Sequence, residues 1–222
     1  MWEGEMKWLM TLLIALLMWG VAAAQELFFD FEKTSLGELP EGFAPAQTAG
    51  RGKLALWQVV EDGSAPKGHK VLFVLPDPRT NHGSCFNVLL YQGQQFKDLD
   101  LSVYVKAVKG REDQGGGPLW RAQDENNYYV VRWNPLENNF RLYFVKKGRR
   151  KMLASAKLKV DPQKWHLIRV LHHGEEIQCL FDGKELLRVR DHTFVAQGKV
   201  GLWSKADAAT VFDGLRVKSL AH

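Results

Sequence analysis

The chain has 222 residues, 45% of them hydrophobic and 25% charged, with a formal net charge of +5. That length supports one domain with a real core. The mild positive charge is spread along the chain and does not by itself point to nucleic acid. Two cysteines, Cys85 and Cys179, are too few for a fold that depends on disulfides, although export would permit one between them.

Residues 1–24 read as an export signal. Lys7 precedes an uncharged stretch from Trp8 to Ala24, and Ala22-Ala23-Ala24 supplies the small residues a signal peptidase needs. The alternative is an uncleaved anchor, for which the apolar run is short. Cleavage before Gln25 removes Glu3, Glu5 and Lys7 and leaves residues 25–222 as a single domain, periplasmic or extracellular, with no stable membrane span.

The rest of the chain reads as strands. Residues 27–32, 71–75 and 85–91 are short apolar or alternating runs. In 101–108, Leu101, Val103, Val105 and Ala107 fall on one face and Ser102, Tyr104, Lys106 and Val108 on the other. Further strands are expected at 117–121, 128–133, 140–146, 152–158, 165–171, 176–181, 185–190, 200–203 and 210–217. Lys147-Gly148, His173-Gly174, Asp182-Gly183 and Gln197-Gly198 supply turns, Asp182-Gly183 being the strongest hairpin signal. Residues 44–52 and 111–117 read as Gly-rich loops. After residue 25 no window longer than about ten residues has a helical period. Some 12–14 strands in sequence indicate an all-β jelly roll of two curved antiparallel sheets.

Alternation places Tyr128, Val130, Arg132 and Asn134 on one face of their strand, with Tyr129, Val131 and Trp133 on the core face. A polar aromatic, a planar cation and an amide are groups that grip sugar hydroxyls or a carboxylate. Arg121 and Arg141, on flanking strands, are expected beside Arg132. Trp203, Lys205 and Asp207 also share a face by alternation, an indole with an ion pair suited to a pyranose ring. Trp120 follows three glycines and reads either as an aromatic at a cleft mouth or as core. The bland alternative for each is a solvated face or ordinary packing.

Metal signals are weak. His172 and His173 point to opposite faces of a strand. Asp124 and Asn126, or Asp30 with Asp213, are candidate oxygen donors for a structural Ca²⁺, though turn chemistry or a surface carboxylate is the commoner explanation of each. No transition-metal set, nucleotide-binding glycine loop, Gly-x-Ser-x-Gly elbow or Cys-x-x-Cys is present. The Glu-x-Asp-x-x-Glu strand of retaining glucanases is absent too. The basic run Lys146-Lys147-Gly148-Arg149-Arg150-Lys151 reads as a hairpin tip, with an anionic polysaccharide or headgroup as the functional alternative. Nothing accompanies it to suggest nucleic-acid reading.

Several segments in order carry a resemblance. They are Phe29-Asp30-Phe31-Glu32, Gly37-Glu38-Leu39-Pro40, Trp120-Arg121, Asn126-Asn127-Tyr128-Tyr129-Val130-Val131-Arg132, and Asn139, Arg141 and Tyr143. Trp165-His166, Phe181-Asp182-Gly183-Lys184-Glu185-Leu186, Asp191-His192-Thr193-Phe194, 198–207 and Phe212-Asp213-Gly214-Leu215 complete it. From Phe28 onward the chain resembles the bacterial 3-keto-disaccharide hydrolase-like domains, which are concanavalin A-like (laminin G-like) jelly rolls. The resemblance implies that fold and an exported carbohydrate-binding or carbohydrate-processing role. It also implies a hydrolytic route for 3-keto-glycosides: a base removes the acidified C2 proton, the glycosidic oxygen leaves, and water adds. Asp207 or Asp124 is the candidate base, with Arg132 or Lys205 at the enolate oxygen. A non-catalytic protein-interaction module is the other reading, because the fold alone does not decide function.

Overall fold

The computed structural model describes residues 26–220; the expected export segment, 1–24, lies outside them. Fifteen strands run β1 (Glu26–Phe29), β2 (Phe43–Gln47), β3 (Leu56–Glu61), β4 (Lys70–Leu75), β5 (Phe86–Tyr91), β6 (Leu99–Lys109), β7 (Gly117–Asp124), β8 (Asn127–Asn134), β9 (Asn139–Lys146), β10 (Arg149–Lys157), β11 (His166–His173), β12 (Glu176–Phe181), β13 (Lys184–Arg190), β14 (Lys199–Lys205) and β15 (Ala209–Ser219). They form two antiparallel sheets. The first has the order β13-β12-β11-β6-β15-β4-β3, with β1 also paired to β15. The second has the order β10-β9-β8-β7-β14-β5-β2. This is the expected all-β jelly roll.

All thirteen expected strand regions are present, and two strands, β2 and β3, were not anticipated. Residues 44–47, read as part of a Gly-rich loop, belong to β2. Pro45 argues against a central strand, but β2 is an edge strand, where a missing N–H does no harm. In β6 the expected alternation holds: Leu99, Leu101, Val103, Val105 and Ala107 enter the core while Ser102, Tyr104 and Lys106 face out. Lys147-Gly148 and Asp182-Gly183 each take positive φ at both residues (50° and 70°; 48° and 81°), the geometry of a two-residue hairpin turn.

The main core lies between the sheets, with Trp57, Val59, Leu101, Val103, Ile168, Val170 and Phe212 from the first and Trp120, Tyr129, Val131, Trp133, Phe140 and Leu202 from the second. A second cluster lies on the far side of the second sheet: Phe86, Val88, Leu90, Leu119, Tyr128, Val130, Tyr143, Val145 and Trp203. The turn Thr48–Gly50 roofs one end of it. There Trp203 Nε1 donates to the Tyr128 hydroxyl (3.1 Å), which bonds Thr48 Oγ1 (2.7 Å), and Thr48 donates to the Glu125 carbonyl (2.8 Å).

This second sheet is strongly curled. The Arg150 guanidinium on edge strand β10 sits 4.9 Å from the ring centre of Phe86 on β5, five strands away in the sheet order. In a flat sheet those strands lie roughly 24 Å apart, further than the two side chains and that gap can bridge. Register shifts accompany the curl, between Met152 and Ala154 on β10 and between Trp120 and Asp124 on β7.

Arg121 occupies the β7 irregularity, with φ of 46°. Its buried guanidinium donates to the carbonyls of Lys97 (2.7 Å), Phe194 (2.8 Å) and Gly174 (3.0 Å) and to Asp98 Oδ1 (3.0 Å). Beside it, Trp120 Nε1 donates to His172 Nδ1 (2.8 Å). Burial and the Arg121 charge hold His172 down at about 3, so this imidazole is neutral. Cys85 and Cys179 are both free, buried thiols. Burial pushes Cys85 up to about 11 against a hydrogen bond from Gln47, and pushes Cys179 upward as well.

Truncating Arg121 leaves the Asp98 carboxylate buried without its counter-ion. Arg121→Ala should therefore lower the unfolding free energy by about 3–5 kcal/mol, read from urea denaturation. Arg121→Lys should recover little of it, because one ammonium cannot reach four separate acceptors. In the native protein neither thiol should react with a thiol reagent at pH 8, and both should titrate once urea unfolds the chain.

Candidate functional site

The curled face of the second sheet carries a charged half beside its apolar half. Arg132 on β8 lies directly opposite Arg141 on β9. Arg132 Nη1 donates to Asn139 Oδ1 (2.8 Å) and its Nη2 to Glu137 Oε2 (2.9 Å). Arg141 Nη1 reaches the same Glu137 oxygen (2.9 Å), as does Asn139 Nδ2 (2.8 Å). Glu137 is thus a clamp shared by two guanidiniums. Burial alone would raise its pKa; the hydrogen bonds from Asn139 and Arg132 and the two positive charges outweigh that and hold it at about 2.

A second carboxylate closes the other side. Asp113 accepts from Asn134 Nδ2 (2.7 Å) and Lys205 Nζ (2.7 Å) and is almost fully buried. Burial raises its pKa, and the Lys205 bond and Arg132 charge oppose this without cancelling it. Gly117 lies below this region on β7. A Cβ there would meet the Val131 carbonyl at 2.1 Å, so only glycine lets β7 run this close to β8.

Arg150 lies over the boundary between the two halves, 4.3 Å from the ring centre of Tyr143, 4.9 Å from Phe86 and 5.9 Å from Trp203. Arg132 is 6.0 Å from the same Tyr143 ring. Burial lowers the Arg150 pKa, Tyr143 opposes this, and the Arg132 charge adds to it. Two of these cations keep a buried N–H with no protein partner: Arg132 at Nε and Arg150 at Nη1.

Among the residues singled out by sequence, Arg132, Arg141, Asn134, Tyr128, Trp203 and Lys205 do share this face. Tyr128 and Trp203, however, are buried in its apolar half, so neither indole nor phenol is open to solvent. Trp120 and Arg121 do not join them. Trp120 packs in the main core, stacked 5.7 Å from Tyr129, and the left-handed backbone at Arg121 sends its side chain to the end of the sandwich. Asp207 also leaves the face, because Ala206 takes φ of 49° and breaks the alternation after Lys205. Its carboxylate accepts the amides of Arg111 (2.7 Å), Glu112 (3.1 Å) and Asp113 (3.0 Å) and anchors that loop. Asp124 caps the β7–β8 turn through the Asn126 amide (2.7 Å) and the Asn127 side chain. Arg150, Glu137 and Asp113 were not anticipated as site residues. The alternation of β10 does put Arg150 on this face, whereas Glu137 sits in the β8–β9 turn and Asp113 in the loop before β7, neither with periodicity.

Relief is found elsewhere on the molecule. A depression of about 420 Å³ on the outer face of the first sheet is lined by Phe28, Lys67, Ser102, Tyr104, Leu167 and Arg216. A groove of about 540 Å³ follows the basic hairpin between β9 and β10. No group of three or more metal-ligating side chains occurs among the described residues. Asp213 accepts the amides of Lys67 (2.7 Å) and Gly214 (2.6 Å), and Asp30 that of Glu32 (3.2 Å).

No protein-family model and no curated protein matches the sequence. Solved structures do match in fold. The carbohydrate binding module CBM66 from Bacillus subtilis is 16% identical, with 80% of this chain and 96% of that one covered and a TM-score of 0.64. The cellulose induced protein Cip1 is 12% identical over 87% and 97%, with a TM-score of 0.63. Domain 4 of AbnA, a GH43 extracellular arabinanase from Geobacillus stearothermophilus solved in complex with arabinotriose, is 12% identical over 88% and 93%, with a TM-score of 0.54. At these identities the likeness establishes the jelly-roll architecture.

The Glu137 clamp makes a prediction about acid. A carboxylate whose folded pKa is depressed contributes stability that is fully present above its ordinary value of 4.5 and is lost as pH falls through about 2. Urea midpoints measured from pH 7 to pH 2 should fall more steeply below pH 4.5 for the parent chain than for Glu137→Gln. Parallel slopes would mean that the shared clamp does not form in solution.

Proposed function

We propose that this chain is an exported module that binds carbohydrate on the curled face of its second sheet. The observation that carries the reading is a cluster of cations and carboxylates: Arg132 and Arg150 against the Tyr143 ring, Arg141 sharing Glu137 with Arg132, and Lys205 bound to Asp113. Rigid guanidinium forks and carboxylates fixed by one another present donors and acceptors at set positions, as recognition of hydroxyl-rich rings requires. Fold neighbours described as a carbohydrate binding module and as an arabinanase domain in complex with arabinotriose support the same reading.

Binding is favoured over cleavage. The resemblance to 3-keto-disaccharide hydrolase-like domains asks for a base at C2, and the two candidates from the sequence, Asp207 and Asp124, spend their oxygens on turn and loop groups. Those bonds also hold Asp207 below the ordinary carboxylate range against the opposing effect of burial. A carboxylate stabilised as the anion is a poor proton acceptor.

The test is calorimetric titration of the chain with a panel of oligosaccharides and 3-keto-disaccharides, with release of 3-keto-glucose followed in parallel. Binding without release is expected, and Arg141→Ala should weaken it by roughly tenfold or more, the worth of one charged hydrogen bond. Turnover of the keto sugars would replace this reading with the hydrolase. Failure of every sugar to bind would replace it with a protein-interaction module.

A further inference from the structure

We infer that the carbohydrate recognised on this face is acidic, a polysaccharide whose sugars carry carboxylates. This rests on the reading of the curled face as a sugar-binding surface and specifies its ligand.

The first observation is the local charge. Among the described residues, Arg132 and Arg141 pair with Glu137 and Lys205 with Asp113, while Arg150 adds a fourth positive charge with no carboxylate at ion-pair distance, so the cations outnumber the anions. The second is unspent hydrogen bonding. Arg132 is 1% exposed, with both terminal nitrogens engaged and Nε unpartnered. Arg150, stacked beside it on Tyr143, has no partner for Nη1. A buried donor left unmade costs about 1–3 kcal/mol. A carboxylate brings the charge that this face lacks and two acceptor oxygens; both N–H groups are covered in this structure, so engaging them requires the two side chains to shift. A neutral hydroxyl brings acceptors but no charge.

The third observation lies at the edge of the same sheet. Lys146, Lys147, Arg149 and Lys151 surround the hairpin groove with Arg150, over the partly buried ring of Phe144. Among the described residues no carboxylate lies within ion-pair distance of any of these five. Lys146, Arg149 and Lys151 are turned to the opposite side of the hairpin from Arg150 by strand alternation, and Arg150 lines both regions. The edge therefore presents cations on both sides. An acidic polymer seated by one sugar at Arg132 and Arg150 meets further positive charge as it crosses β10, whereas a single acidic sugar uses the curled face alone.

The experiment compares trigalacturonate and polygalacturonate with their methyl esters, which keep the sugar and remove the charge. Double-stranded DNA and phosphatidylglycerol vesicles serve as other polyanions. The free acids should bind the full chain at least about tenfold more tightly than the esters. Binding should weaken as salt rises from 50 to 300 mM, as screening requires. Arg150→Gln should weaken both acids. The triple variant Lys147→Gln, Arg149→Gln, Lys151→Gln, whose residues are exposed, should weaken the polymer by roughly tenfold and leave trigalacturonate nearly unchanged; thermal melting checks that each variant is folded. Equal binding of acid and ester would overturn the acidic assignment while leaving sugar recognition intact. DNA or vesicles bound as tightly as the polymer would overturn it in favour of unspecific charge attraction. If neither acid nor ester binds and a neutral glycan does, the acidic assignment fails alone. If no glycan of any charge binds, the sugar-binding reading fails with it.

Discussion

The arrangement of the curled sheet depends on one buried cation. Arg121 sits where β7 breaks register with β8, and its neighbours on β14 shift register at the same level, between Lys199 and Gly201. A bulge of this kind bends its strand and increases the local twist. The left-handed conformation it needs is costly for a non-glycine residue. Four hydrogen bonds hold it there, to the entry of β6, to the β11–β12 turn and to the Phe194 carbonyl. Removing an arginine and an aspartate from water costs several kcal/mol per ion, and only near-complete satisfaction of both groups offsets it. Asp98 meets this condition as well, accepting the Gly174 amide (2.8 Å) besides Arg121. The result is a fixed bend in the middle of the second sheet and an anchored end to the sandwich.

That bend brings edge strand β10 back over β5, and the space enclosed is divided by polarity. One half is filled by apolar residues and closed by the Thr48 turn, with the buried phenol of Tyr128 satisfied on both sides. The other half cannot close in the same way, since Arg132, Arg141 and Lys205 must keep counter-ions. Arg150 stands at the border with its guanidinium head over the rings of Tyr143, Phe86 and Trp203, a cation held by aromatic faces. Rigidity on one side and unspent charge on the other are what a recognition surface needs.

Periodicity reported the local structure and stopped where the backbone departed from it. The inward set of β6 and the core face of β8 follow from simple alternation, and so does the placement of Arg132, Asn134, Trp203 and Lys205 on a common face. Alternation failed at Arg121 and Asp207 for one reason: a residue with positive φ, Arg121 itself and Ala206 before Asp207, redirects the chain, and neither is a glycine that would have signalled it. Strand β2 was missed because Pro45 and the glycines after it hide an edge strand. The site's membership was legible only in part. Arg150 reaches Tyr143, Phe86 and Trp203 through curvature of the whole sheet, which no local pattern encodes. For the same reason the burial of Tyr128 and Trp203, expected as open ligand groups, was invisible until the turn at Thr48 was placed above them.

The buried and half-buried arginines beneath and on this face separate into two kinds. Arg121 donates from all three nitrogens to protein acceptors, and nothing about it asks for a ligand. Arg132 and Arg150 share one aromatic ring, repel one another, and each retain a donor without an acceptor. Arg132 is paired with Glu137, whereas Arg150 has no carboxylate within ion-pair distance among the described residues, so its partly desolvated charge is left to the aromatic rings and to the repulsion of Arg132. A pair of cations held under repulsion is therefore poorly accounted for by stability and well accounted for by a ligand that supplies the missing charge. The same comparison explains why the groove-like relief elsewhere on the molecule carries less weight: Arg216 and Arg169 on the first sheet are exposed and already paired, with Glu26 and Asp100, and ask for nothing further.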